Sequence, residues 1–80
     1  MRLPRDISGT ELCRRLERLG YRATRQTGSH IRLTCAAPAE HHVTVPHHDP
    51  LRVGTLGAIL AAVAQAHGLS RDELLRRLLE

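Results

Sequence analysis

Leu12, Leu16 and Leu19 recur at helical spacing, with Arg14, Arg15, Glu17 and Arg18 falling on other faces. Ser8 and Glu11 stand at the spacing of a capping box and Gly20 follows the last periodic leucine, so the pattern predicts a helix over about residues 8–19. The period then changes. Residues Tyr21 to Thr27 are Thr-rich and loosely alternating, Gly28-Ser29 is a turn signal, and His30 to Cys35 alternates cleanly, which together predict a β-hairpin. Within its second strand Ile31, Leu33 and Cys35 share one face, and His30, Arg32 and Thr34 share the other. After the break at Ala36 to Glu40, alternation resumes from His42 to Val45, a third, antiparallel strand. Beyond the Pro-bounded turns of Pro46 to Val53, the stripe Leu56, Ile59, Leu60 and Val63 predicts a helix reaching about His67 and stopped by Gly68. Ser70 and Glu73 repeat the capping-box spacing before Leu74, Leu75, Leu78 and Leu79, a short closing helix. Helix, three strands, helix, helix is an α+β order that places the helices on one sheet face and leaves the other open. No internal repeat or low-complexity tract interrupts it.

Length limits this architecture to a single domain over residues 1–80, because so short a chain has no room for a second core. Apolar residues are 41% and charged residues 25% of the chain, a globular composition that argues against disorder. The absence of a long apolar run or a secretory start gives the expectation of a cytoplasmic protein with no membrane association. Cys13 and Cys35 match no paired-cysteine pattern and fall at apolar positions, so both are expected to be reduced and buried.

Charge adds direction to this picture. The net charge is +4, all 12 basic residues are arginine, and the excess lies in residues 1–40, which hold eight arginines against four acids. Planar guanidinium groups suit bidentate contact with phosphate, so a polyanionic partner fits. Tyr21 is the only aromatic residue, which excludes recognition of splayed bases by aromatic stacking. The open sheet face is where the Arg-rich half and His30 meet, and an imidazole with an ordinary pKa of about 6.5 both accepts and donates protons near neutrality. His41, His42, His47 and His48, with Asp49, bracket the third strand, but their spacing matches no zinc-finger pattern and no metal site is expected there.

The residues Gly20-Tyr21, Arg25-Gln26, Gly28-Ser29-His30, Thr44-Val45-Pro46, His48, Gly54-Thr55-Leu56 and Ile59-Leu60 resemble the HicA family of toxins over nearly the whole chain. The resemblance implies a fold similar to a double-stranded-RNA-binding domain, messenger-RNA interferase activity and a HicB-type antitoxin as partner. It also implies that His30, in the Gly-Ser-His motif, is catalytic. Because RNA carries its own nucleophile, the 2′-hydroxyl, such cleavage requires neither metal nor small-molecule cofactor, and His30 is assigned as the general base. Arg25 and Arg32 are the nearest candidates to stabilise phosphate charge, and Ser29 to orient either the phosphate or His30. Gly28 is expected to supply a turn at positive φ. His48 is a candidate second catalytic group or structural hydrogen-bonding residue. Thr55 is expected to cap the middle helix, whose free N–H groups offer an alternative phosphate site. Two departures from the family pattern stand out: Gly57 where a basic residue is common, which implies weaker RNA contact there, and a longer middle helix from Leu60 to His67.

The alternative to an endoribonuclease is a non-catalytic binder of structured RNA. The lack of a positive side chain in Gly54-Thr55-Leu56-Gly57-Ala58 counts against it. A DNA-binding module ranks last, since no helix-turn-helix pattern or basic recognition helix is present.

Overall fold

Ser8 accepts a hydrogen bond from the Glu11 N–H at 3.0 Å and so caps the first helix, α1 (Gly9–Leu16), in this computed structural model, which describes residues 3–79. The Glu11 carboxylate turns to Arg14 and Arg15 instead. A 3₁₀ turn, Glu17–Leu19, carries the helix to Gly20, whose φ of 93° closes it. The bonds Gly20 N–H to Glu17 O and Tyr21 N–H to Leu16 O make this a Schellman motif. Its apolar partners are Leu16 and Tyr21, 0% and 1% exposed. Tyr21 therefore belongs to the helix exit and the core. It does not open the hairpin as expected, and the first strand starts one residue later.

That sheet comprises β1 (Arg22–Thr27), β2 (His30–Cys35) and β3 (His41–Pro46), antiparallel in the order β1-β2-β3. On its covered face lie Leu33, Cys35, Val43 and Val45, all buried. Helix–strand packing concentrates on β3, so β1 forms an edge with all six residues exposed. The helices therefore occupy one face of an open sheet, a layout consistent with the double-stranded-RNA-binding-domain-like fold expected above.

Helix α2 (Val53–His67) begins earlier than the sequence pattern predicts. Arg52, in extended conformation, is the N-cap, and its carbonyl accepts the Leu56 N–H at 2.9 Å. Thr55 lies inside the first turn and is not the expected cap. The start is set by tertiary anchoring: Leu51 is buried, and its N–H donates to the Ile7 carbonyl. Gly68 ends α2 in a second Schellman motif, with Leu69 N–H bonded to Ala64 O and Gly68 N–H to Gln65 O. Ser70 and Glu73 form a reciprocal capping box for α3 (Arg71–Leu79), each side chain accepting the other's N–H at 3.1 Å. Leu74, Leu75 and Leu78 of α3 join Leu12, Leu16, Leu56, Leu60 and Val63 in one core. Arg15 closes the far end by donating to the Leu78 carbonyl at 2.7 Å. Among the described residues no single helix is long and apolar enough to cross a membrane.

Candidate functional site

The hairpin loop consists of Gly28 and Ser29 between the paired residues Thr27 and His30. Gly28 has φ of 56°, as expected, and a glycine in the first central position is the pattern of a type II′ hairpin loop. The loop is tied from the other side: the His47 N–H donates to the Ser29 carbonyl at 2.5 Å, continuing the ladder past the end of β3. His30 follows at once, so its backbone is held by both neighbouring strands while its side chain is exposed.

Across the open face the register places residues in rows. Thr27, His30 and Pro46 form the first row, Arg25, Arg32 and Thr44 the second, and Arg22, Thr34 and His42 the third. Strict alternation from Arg22 would send Arg25 to the helix side. A β-bulge at Thr24, between Ala23 and Arg25, inserts one extra residue and returns Arg25 to the open face directly opposite Arg32. Like charges opposite one another on a sheet repel. Neither arginine makes an ion pair among the described residues, and the three rows contain no carboxylate. The structure thus brings together His30, Arg25 and Arg32 with Gly28 and Ser29 at one end of one face.

Thr24, Thr34 and His42 hold the third row through bonds from Thr24 Oγ1 to Thr34 Oγ1 (2.9 Å) and from Thr34 Oγ1 to His42 Nδ1 (2.8 Å). The sequence pattern puts Thr34 on the face of His30 but does not place Arg22 and His42 in its row, since the bulge that aligns Arg22 with Thr34 leaves only a faint mark: the loose alternation of β1.

The remaining candidates lie apart. His48 is exposed; its carbonyl accepts the Gly9 N–H at 2.8 Å, and its imidazole makes no hydrogen bond to His30 among the described residues. Thr55 is half-buried at the start of α2, where no side chain caps the amides. Gly57 lies beneath Leu3, whose Cδ1 is 3.5 Å from the place a Cβ would take. Gly57, half-buried, therefore packs against the chain's own N-terminal segment. The four histidines around β3 also separate: His42 bonds to Thr34 on the open face, whereas His41 turns inward to Tyr21. Among the described residues no three histidine, cysteine, aspartate or glutamate side chains are grouped to hold a metal ion.

Tyr21 is the centre of a second polar cluster, on the covered side. Its hydroxyl lies 2.7 Å from His41 Nδ1 and 3.2 Å from His67 Nε2, and His67 Nε2 is 3.8 Å from Cys35 Sγ. Burial raises the Tyr21 hydroxyl well above its ordinary pKa, with Cys35 adding to the effect. Burial lowers the His67 pKa, and His41 and Arg77 lower it further.

Among the described residues, then, the chain is a small α+β fold with an exposed histidine and, beside it on an open sheet face, two arginines that make no ion pair. Residues 9–66 match the family model described as HicA toxin of bacterial toxin-antitoxin, and the chain belongs to that family. No curated protein and no solved structure matches it. The match ends before His67 and α3, so the closing helix and one member of the Tyr21 cluster lie beyond the matched region.

Proposed function

We propose that this chain is an endoribonuclease that cleaves messenger RNA in the cytoplasm and thereby blocks translation, with His30 as general base and no metal or small-molecule cofactor. The observation that carries this reading is the facing pair Arg25 and Arg32, without carboxylate partners, in the row next to an exposed histidine. His30 takes the proton of an RNA 2′-hydroxyl as that oxygen attacks the adjacent phosphorus. The bond from phosphorus to the 5′-oxygen breaks, and that oxygen takes up a proton from water as it leaves, giving a 2′,3′-cyclic phosphate and a 5′-hydroxyl end. Arg25 and Arg32 stabilise the charge that builds on the phosphoryl oxygens. Ser29, pinned through its carbonyl, orients His30 or the phosphate, and Gly28 provides the turn that sets both. His48 is a further candidate for proton transfer and the α2 start around Thr55 for an outlying phosphate. As a toxin of a toxin-antitoxin family, the chain implies an antitoxin, and a HicB-type protein covering the open face is the partner we propose.

Purified protein incubated with a long RNA, with and without EDTA, beside His30→Ala, tests the reading. Cleavage should persist in EDTA, yield 2′,3′-cyclic ends and fall by about 10²- to 10⁴-fold in a folded His30→Ala variant. Wild-type cleavage by that variant would falsify the assignment of His30. RNA binding without any cleavage by the wild type would instead favour the non-catalytic binder.

A further inference from the structure

The three rows of the open face continue well past His30, and the third of them has no role in the chemistry just described. Alternate rows on a strand are separated by two residues, about 6.7 Å. That is close to the distance between successive phosphates of an extended nucleotide strand. Three strands at about 4.8 Å spacing make the face about 10 Å across, wide enough for one backbone lying along β2 and too narrow to meet both ridges of a duplex. The second row offers Arg25 and Arg32, and the third offers Arg22 and His42.

The third row is also preorganised. Thr34 Oγ1 lies 2.8 Å from His42 Nδ1, which fixes the ring and leaves Nε2, without a partner among the described residues, as the ring atom that meets a phosphate oxygen. Thr24, the bulged residue, completes the bridge from β1, so the irregularity that aligns Arg25 with Arg32 also braces the row that holds Arg22. A depression of about 420 Å³ lies at this end of the sheet, reaching from Arg22, Thr24 and Thr34 round to Gly20 and the covered-face residues Ala23 and Cys35.

We infer that the open face is a track for a single RNA strand running along β2, and that Arg22 and His42 form a subsite for the phosphate one nucleotide along from the one that Arg25 and Arg32 hold for cleavage beside His30. The inference rests on the proposed nuclease reading for the position of the cleaved bond, but the track itself is a matter of binding. An unpaired strand also suits the cleavage step, because the 2′-oxygen must swing into line with the departing 5′-oxygen, a geometry that A-form pairing holds it away from.

The test uses 2′-O-methyl oligonucleotides, which have no free 2′-hydroxyl, with one to five phosphates. Affinity is measured by fluorescence anisotropy at several salt concentrations. For the wild type, affinity should rise from one phosphate to two and then level off. Arg22→Ala and His42→Ala should each weaken binding of the two-phosphate oligonucleotide several-fold. Arg22→Ala should also lower the salt slope by about 0.7, the value for one lost contact to a single strand. The gain in affinity from one phosphate to two should shrink in either variant. Circular dichroism checks that both variants fold. An unchanged salt slope in folded Arg22→Ala, or equal affinity for the same sequence as a duplex, overturns the track. The nuclease reading fails separately: wild-type protein that shows the length dependence yet cleaves no unmodified RNA removes the cleavage proposal and leaves the track standing.

Discussion

His67 illustrates how a single residue can tie function-neutral chemistry to stability. Its ring bonds to the buried Tyr21 hydroxyl, and burial, His41 and Arg77 all hold it neutral in the folded protein. In the unfolded chain it titrates at the ordinary value of about 6.5. Above that pH both states carry a neutral ring and the contribution to stability is fully present. As pH falls through 6.5 toward the lower folded value, the unfolded chain takes up a proton that the folded ring refuses, and stability drops. Melting temperature should therefore fall from pH 7.5 to 5.5 more steeply in the wild type than in His67→Gln, which keeps a hydrogen-bonding side chain but no titration. Parallel curves for the two proteins would show that the ring is free to protonate in place. Cys13 is governed by the same physics: burial, then Glu17, raises its thiol pKa, which leaves it protonated and slow to alkylate at neutral pH.

Two elements meet at Gly9, the first residue of α1. A Cβ there would collide with the Pro46 carbonyl oxygen, while the Gly9 N–H donates to the His48 carbonyl. Backbone faces backbone, so no side-chain rotation can make room. Gly9→Ala should destabilise the protein by about 1–3 kcal/mol, the range for inserting an atom into a packed site, as read from urea unfolding. Wild-type stability in that variant would mean that α1 can slide away from β3. Because Pro46 pairs with His30 and His47 pins the loop at Ser29, such a shift would also be felt at the candidate site. The same pair of elements shows what was legible in the sequence. Ser8, Glu11 and Gly20 marked α1 from local chemistry alone, but nothing local marked Gly9 as the point of contact. Likewise His30 was legible as an outward residue from the clean alternation of β2. Arg25 is a candidate neighbour by its closeness in the chain, yet only the bulge at Thr24 puts it on the same face.

At the scale of the whole molecule, the charge distribution and the layer arrangement coincide. The chain carries +4, the excess arises from residues 1–40, and the open face draws Arg22, Arg25 and Arg32 from that half with no acid among them. A partner that silences the protein most directly does so by presenting acidic groups to this face and excluding solvent from His30. Co-purified with its antitoxin, the chain should show markedly slower modification of His30 by diethyl pyrocarbonate than when free. Equal rates in complex and free protein would rule out masking and leave distortion of the sheet as the route to inhibition.

By itself the sequence determined which segments are helix and strand, where the helices stop, which face of β2 is apolar and that His30 points away from the core. Each of these depends on contacts between residues near in the chain: a cap, a glycine at positive φ, a period of two or of 3.6. Tertiary structure alone decided the rest. It drew Tyr21 out of the strand and into a buried bond with His41 and His67, and it started α2 at Val53 by anchoring Leu51 to Ile7. It also covered Gly57 with Leu3 and used one inserted residue to align three arginines along an open sheet. These outcomes turn on which distant surfaces come into contact and on a one-residue slip in register, and neither leaves a periodic signal in the chain.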